Sequence, residues 1–147
     1  MKTYQPITPE IIEKLKDITG PSYVKTDRDM LLQYQTDYET NPAMFHVPEA
    51  AVLPATAEEI SQIVKLANEY DFPITVRGGG TSLADGAIPV CGGLVLCMDR
   101  LNKIIELNED GMYMTVEAGV RTVDLQNAAK KAGLLYAGDP SSAESCL

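Results

Sequence analysis

Apolar residues recur at helical spacing in three segments of the chain. The first predicted helix follows Thr8, which caps it, and ends at Gly20. The second begins at the capping box 56–59 and continues to about Tyr70, and the third begins with Thr122 as its cap. The apolar faces of these helices consist of Ile11, Leu15 and Ile18, then Ile60, Ile63, Val64 and Ala67, then Leu125, Ala128, Ala129 and Ala132.

Short apolar runs between these helices predict strands. Segments 50–53 and 74–76 flank the second helix, so this β-α-β unit should be parallel and right-handed. A buried-looking strand is predicted over 94–98. Segments 103–107 and 112–118 flank a turn of the sequence Asn-Glu-Asp-Gly and predict a hairpin. Since apolar and polar residues alternate along its second strand, we expect the face with Met112, Met114, Val116 and Ala118 to be buried.

The order of these elements predicts an α+β fold class. We expect a small parallel β-α-β subdomain over about 1–80, followed by an incomplete antiparallel subdomain with helices over about 81–147. A short helical patch is expected over 29–35. The segment 41–48 contains two prolines and should be irregular.

Composition narrows the classes of function. The chain has 147 residues, about the length of one domain, and a net charge of −9, which argues against binding to nucleic acid backbones. No apolar run is long enough for a transmembrane segment, and the amino terminus has no secretory signal pattern. The three cysteines lack metal-type spacing, so free thiols in a cytoplasmic protein are expected.

The most informative motif is the run Gly78-Gly79-Gly80-Thr81-Ser82, here named the Gly loop, which follows the strand over 74–76. Consecutive glycines allow positive φ angles, and their N–H groups can then surround an anion such as a pyrophosphate. The loop lacks the third glycine of a dinucleotide-binding fingerprint, because Leu83 occupies that position, and no Walker lysine follows. A tight turn without a ligand is the alternative interpretation.

No catalytic group stands out. His46 is the only histidine and has no partner nearby in sequence, so a structural or surface role is favoured over a catalytic base. Arg77 could pair with a phosphate, although an arginine at a strand end is more often a solvated charge or part of an ion pair. No cysteine has an evident activating neighbour, and no metal site is predicted.

These motifs together resemble the FAD-binding domain of the vanillyl-alcohol oxidase (PCMH-type) superfamily. The similarity is greatest to the branch that contains the flavoprotein component of glycolate oxidase and the FAD-linked D-lactate or 2-hydroxyacid dehydrogenases. The stretches that carry the resemblance are Tyr34-Gln35-Thr36-Asp37, residues 51–56, Arg77 to Leu83 with Gly86 and Pro89, Glu117-Ala118-Gly119-Val120, and Gly138-Asp139-Pro140-Ser141.

The resemblance implies that the Gly loop wraps the FAD pyrophosphate with backbone N–H groups and that Gly86 lets the chain pass close to the cofactor. Asp139, Pro140 and Ser141 would begin a second segment in contact with FAD. Some members attach FAD through a histidine at the place of Thr81. Threonine at this position implies non-covalent FAD.

The resemblance also implies an incomplete enzyme. In the family, a motif of the Ile-Gly-Gly-Asn type follows the segment that ends here at Leu147, and the catalytic and substrate-binding residues lie beyond it. We therefore expect this chain to be part of a hydroxyacid oxidoreductase that is inactive alone and works with the remaining domain or an electron-transfer partner subunit. A non-catalytic FAD-binding subunit fragment and another PCMH-type reductase or oxidase are the alternatives.

Overall fold

The computed structural model describes residues 3–38, 41–141 and 144–145. It contains four α-helices, namely α1 (Pro9–Thr19), α2 (Arg28–Leu31), α3 (Ala57–Tyr70) and α4 (Thr122–Lys131). The strands are β1 (Val24–Lys25), β2 (Ala50–Val52), β3 (Ile74–Arg77), β4 (Leu94–Cys97), β5 (Ile104–Asn108) and β6 (Tyr113–Val116). Three short 3₁₀ turns occupy Pro21–Tyr23, Leu32–Tyr34 and Pro42–Met44. The helical patch predicted over 29–35 is therefore α2 continued by a 3₁₀ turn.

The predicted helix caps of α1 and α3 are present. The Thr8 side chain accepts a hydrogen bond from the Ile11 N–H, and Gly20 ends α1 with a φ of +91°. Thr56 caps α3 by accepting from the Glu59 N–H. The third predicted cap is wrong, because Arg121 is the N-cap of α4 and makes no side-chain cap bond, while Thr122 is the first helical residue.

A four-stranded sheet in the order β1-β2-β4-β3 forms the centre of the fold. Strands β2 and β3 each pair in parallel with β4, and β1 pairs antiparallel with β2. The predicted strand over 94–98 therefore lies between the two strands of the β-α-β unit, although it falls in the range predicted for the antiparallel subdomain. All four residues of β4 are buried, as a central strand covered on both faces requires.

Helices α1 and α3 cover one face of this sheet. Ile11, Leu15, Ile63 and Leu94 are almost fully buried there. A smaller cluster on the other face contains Leu31, Ala51, Val95 and Cys97, with Tyr34, Val47 and Leu53 packed against it. Alternate residues of β2 and β4 point to opposite faces, so the two clusters share these strands and hold the carboxyl ends of the sheet in place.

The hairpin β5-β6 forms a separate two-stranded sheet, as predicted. Its predicted buried face is largely wrong, since Met112 is 79% exposed and Ala118 is exposed, while Met114 and Val116 are half-buried. An apolar cavity of about 440 Å³ separates the hairpin from α4 and the following segment, with Leu135 90% exposed at its wall. The helix therefore covers only part of the apolar face that the alternation creates.

Candidate cofactor site

The Gly loop begins directly after β3, at the carboxyl end of the parallel strands. Only Gly80 has a positive φ, of +66°, so one of the three glycines makes the left-handed turn. In the part of the chain that the structure describes, the backbone N–H groups of residues 79–82 donate no hydrogen bond. These donors are therefore available to an anion, which is what a phosphate-binding loop requires.

A cavity of about 390 Å³ opens beside the Gly loop. Its wall combines residues from the ends of three parallel strands with the 3₁₀ turn after α2. The lining residues are Gln33, Tyr34, Leu53, Arg77, Gly78, Gly79 and Asp99. Because ligands of open parallel sheets bind outside the carboxyl ends of the strands, the position of this cavity is that of a cofactor site.

The charges at this cavity differ between its sides. Arg77 stands at the end of β3 and donates from Nη1 to the carbonyl oxygen of Thr36 at 2.8 Å. Asp99 follows β4 at the other side and also lines a second cavity, of about 470 Å³, with Asn102, Gly119, Arg121 and Asp124. Asp99 thus lines both cavities. The positive charge of Arg77 lies on the side of the first cavity that is formed by the Gly loop.

Tyr34, which lines the cavity, and Cys97, which contacts Tyr34, both stay neutral. Burial, with smaller contributions from Cys97 and Asp99, raises the pKa of Tyr34 to about 12. Burial, followed by the nearby Asp99 carboxylate, raises the pKa of the Cys97 thiol to about 12. Cys97 is therefore a neutral thiol and not a thiolate nucleophile at neutral pH.

Ser82 closes the Gly loop. Its Oγ accepts hydrogen bonds from the N–H groups of Ala84 at 3.1 Å and Gly86 at 3.4 Å. Its carbonyl oxygen accepts from the Tyr38 N–H at 3.3 Å. The side-chain oxygen of Ser82 thus orders the segment that leads to Gly86, while Thr81 is half-buried at the rim.

The second predicted segment is separate from the Gly loop. Asp139 and Ser141 are exposed and Pro140 is half-buried. The carbonyl oxygen of Gly138 accepts from Gln126 Nε2 at 2.9 Å, which ties this segment to α4. Among residues 3–38, 41–141 and 144–145, no hydrogen bond joins residues 139–141 to the Gly loop.

Of the remaining candidates, neither His46 nor Cys91 lines the cavity beside the Gly loop. His46 is half-buried, and its N–H donates to the Gln35 carbonyl oxygen at 2.9 Å. Cys91 is exposed, Cys97 is buried, and both are free, while Cys146 lies outside the described residues. Within the described ranges, no group of His, Cys, Asp and Glu is arranged to hold a metal, and every helix is too short or too polar to cross a bilayer.

Sequence reasoning missed Gln33, Leu53 and Asp99 as lining residues. The available signal was position, because Leu53 and Asp99 lie within two residues of the carboxyl ends of β2 and β4. That signal depends on knowing that β4 belongs to the same parallel sheet. Tyr34 lay in a stretch that carried the family resemblance, but it had no assigned role.

Comparison with known proteins agrees with this geometry. The FAD binding domain family matches residues 48–147, a range that contains the Gly loop, the ends of all three parallel strands that line the cavity, and α4. The chain belongs to this family, and its cofactor is FAD. The loop donors, the single positive-φ glycine and the Arg77 charge fit the diphosphate of FAD.

Individual relatives define the branch. Glycolate oxidase subunit GlcD of Bacillus subtilis is 37% identical over 136 residues, which cover 92% of this chain and 28% of that protein. D-lactate dehydrogenase of Anaerostipes hadrus is 32% identical over 140 residues, which cover 93% of this chain and 28% of that protein. The chain thus spans less than a third of the length of these curated relatives.

The fold class is confirmed by a solved structure. p-Cresol methylhydroxylase with bound substrate superposes with a TM-score of 0.74 and 28% identity, over 84% of this chain and 24% of that one. The α+β, PCMH-type fold expected from the sequence is therefore present, although the order of its parallel strands differs from the simple β-α-β unit. The division of the chain near residue 80 stays a prediction, and β4 belongs to the first sheet.

Proposed function

We propose that this chain forms the FAD-binding part of a flavin-dependent 2-hydroxyacid oxidoreductase. The observation that carries the proposal is the Gly loop at the carboxyl end of β3, whose N–H groups of residues 79–82 donate no hydrogen bond within the described chain. The names of the two curated relatives, a component of glycolate oxidase and a D-lactate dehydrogenase, support the substrate class.

The role of the residues in this chain would be to bind FAD and to orient it. Gly78 to Ser82 would hold the diphosphate through backbone N–H groups, and Gly86 would leave room for the cofactor beside the chain. Asp139, Pro140 and Ser141 would provide a second contact segment. FAD, when bound, supplies the capacity to accept a hydride from the α-carbon of a hydroxyacid.

FAD is proposed to be non-covalent, since Thr81 offers a hydroxyl group where a covalent member has an imidazole. No residue of this chain is assigned a catalytic role. The substrate, the electron-transfer partner subunit and a cytoplasmic location are likewise proposals, the last supported by the free thiols of Cys91 and Cys97.

FAD titration of the purified chain, followed by flavin fluorescence, tests the proposal. Gly79→Asp should abolish saturable binding, because a carboxylate beside the loop donors repels the diphosphate and fills its space. Asn68→Asp is the matched control, since it adds the same charge on the exposed side of α3. Equal binding by wild type and Gly79→Asp would refute the loop as the diphosphate site.

A separate assay addresses activity. The chain, loaded with FAD, should not reduce a dye with glycolate or D-lactate as the donor, because no residue of this chain is assigned to take the hydroxyl proton. Flavin-dependent turnover by the pure chain would contradict this. If the chain binds FAD without turnover and gains activity with a second polypeptide, the electron-transfer or catalytic partner is identified directly.

A further inference from the structure

Arg77, at the end of β3, makes two contacts with the segment 34–36. Its Nη1 donates to the Thr36 carbonyl oxygen at 2.8 Å, and its guanidinium carbon lies 5.8 Å from the centre of the Tyr34 ring. Arg77 and Asp99 both line this cavity, and Arg77 directly precedes the Gly loop in the chain.

The side chain of Arg77 fills the space on one side of Gly80. A Cβ built on Gly80 would lie 2.9 Å from Nε of Arg77 and closer still to the other guanidinium atoms. Such a distance is below ordinary van der Waals contact, so a side chain at position 80 would displace the guanidinium of Arg77 from this position. Glycine at position 80 is therefore favoured by its positive φ of +66° and by the arginine side chain that packs against it.

The segment 36–38 holds the Gly loop at both ends. Thr36 accepts from Arg77 before the loop, and the Tyr38 N–H donates to the Ser82 carbonyl oxygen at 3.3 Å after it. A guanidinium is planar and carries several N–H donors in fixed directions. It can therefore pack against the Gly loop on one side and donate a hydrogen bond to a carbonyl oxygen on the other.

We infer that Arg77 is a positioning residue for FAD, which braces Gly80 through its guanidinium and brings a positive charge to the diphosphate-binding loop. The inference rests on the proposed function and goes beyond it by assigning this side chain a role. It also explains how a chain with a net charge of −9 accommodates an anionic cofactor. The positive charge of Arg77 acts at short range, and salt screens a partly buried charge less than an exposed one.

Titration of FAD into the chain carrying Arg77→Ala or Arg77→Lys tests the charge and the brace separately. We expect Arg77→Ala to weaken binding by about tenfold or more, the equivalent of one charge-assisted hydrogen bond. Lysine keeps the charge but loses the planar fork, so Arg77→Lys should fall between wild type and alanine. The wild-type affinity should also decline more steeply with salt than that of Arg77→Ala, a difference that a purely structural role would not produce. Arg28→Ala, an exposed arginine of α2, is the matched control.

A double-mutant cycle with Gly80→Ala tests the contact itself. Gly80→Ala should weaken FAD binding strongly when Arg77 is present and by a clearly smaller factor in the Arg77→Ala background, where the space is free. The same coupling should appear in the thermal unfolding midpoints, which do not depend on FAD. Each titration is made at a temperature well below the thermal unfolding midpoint of that variant, so that a loss of binding does not reflect unfolding.

The outcomes separate the two proposals. If wild type binds FAD and Arg77→Ala binds equally well, the inference is overturned while the proposed function stands. If Arg77→Lys equals wild type, or if the effects of Arg77→Ala and Gly80→Ala are additive, the brace is overturned. If the wild-type chain binds no FAD, the proposed function of the isolated chain and the inference both fail.

Discussion

The guanidinium carbon of Arg100 lies 3.4 Å from the centre of the Tyr23 ring. Arg100 Nη1 also donates to the carbonyl oxygen of Leu53 at 2.8 Å, and the Leu53 N–H donates to the Tyr23 carbonyl oxygen at 3.0 Å. The backbone of Leu53 is therefore fixed on both sides. Because Leu53 lines the cavity beside the Gly loop, this contact sets the position of one wall of the candidate cofactor site.

The stacked pair should contribute to stability. Arg100→Met and Tyr23→Leu are each expected to lower the free energy of unfolding, with a coupling of about 0.5–1 kcal/mol between them from the cation–π contact. Urea denaturation of the two single variants and the double variant measures this coupling. Tyr23→Leu combined with Arg28→Met should be additive, because Arg28 does not share the contact. Additivity of the Arg100 and Tyr23 variants would show that the stacking contributes nothing.

The Cys97 thiol should be unreactive in the folded protein. It is fully buried, and its pKa is raised to about 12, so the thiolate that alkylating reagents require is scarce at pH 8. Treatment with iodoacetamide followed by peptide mass spectrometry should modify the exposed Cys91 and leave Cys97 unmodified until denaturant is added. Similar rates for the two cysteines in the folded state would contradict the assigned burial.

The same two buried groups predict a fall in stability at high pH. Burial raises the pKa of Tyr34 from 10.0 to about 12, and burial raises that of Cys97 from 9.0 to about 12. Both hold their protons in the folded state while the unfolded chain releases them. Their contribution to stability is therefore fully present below about pH 9 and is lost as the pH rises toward 12.

Urea midpoints between pH 7 and pH 11 measure this effect. Tyr34→Phe removes one of the two titrating groups, so its midpoint should fall less steeply over the alkaline range than that of wild type. Tyr38→Phe, which changes an exposed tyrosine, serves as the control. An identical alkaline slope in wild type and Tyr34→Phe would exclude a proton held by Tyr34 in the folded state.

The helices could be predicted because their signals are local. Thr8 and Thr56 cap helices through hydrogen bonds to residues three positions later, and Gly20 ends a helix through its own φ angle. The prediction that Thr122 is the N-cap of α4 is wrong by one residue. Arg121 has the extended backbone of an N-cap without a capping side chain, so residue type alone points to its neighbour.

The position of β4 could not be read from its sequence. A run of four apolar residues indicates a strand that is covered on both faces. The strands with which it pairs, however, depend on contacts between residues that are distant in the sequence. The pairing of β4 with β2 and β3 also determines which residues line the cavity beside the Gly loop. Leu53 and Asp99 become neighbours of Gly78 only because β4 lies between β2 and β3.

The Gly loop was recognised from composition, whereas its brace was not. Three adjacent glycines indicate a turn, but only the folded chain shows that Gly80 alone has a positive φ and that Arg77 lies against it. An arginine at a strand end is usually solvated, and nothing local distinguishes one that reaches the carbonyl of Thr36.

Alanine should destabilise the protein at one glycine outside the Gly loop, Gly119, and leave its stability nearly unchanged at another, Gly86. A Cβ at Gly119 would lie 2.8 Å from the carbonyl carbon of Met98 and 2.9 Å from the carbonyl oxygen of Leu101. These are backbone atoms of the turn after β4, and the Gly119 N–H already donates to Leu101 at 2.7 Å. Gly119→Ala should therefore destabilise the protein by about 1–3 kcal/mol through overpacking, as measured by thermal or urea unfolding.

Gly86→Ala should leave the free energy of unfolding within about 0.5 kcal/mol of wild type. The nearest atom to a Cβ there is Ser82 Oγ at 3.7 Å, an ordinary contact, and its φ is not positive. The chain itself thus gives no steric reason for glycine at this position. If Gly86 lies against FAD, as the family resemblance implies, the folded Gly86→Ala variant should bind FAD more weakly in the fluorescence titration. An affinity equal to that of wild type would remove Gly86 from the cofactor site while leaving the Gly loop in it.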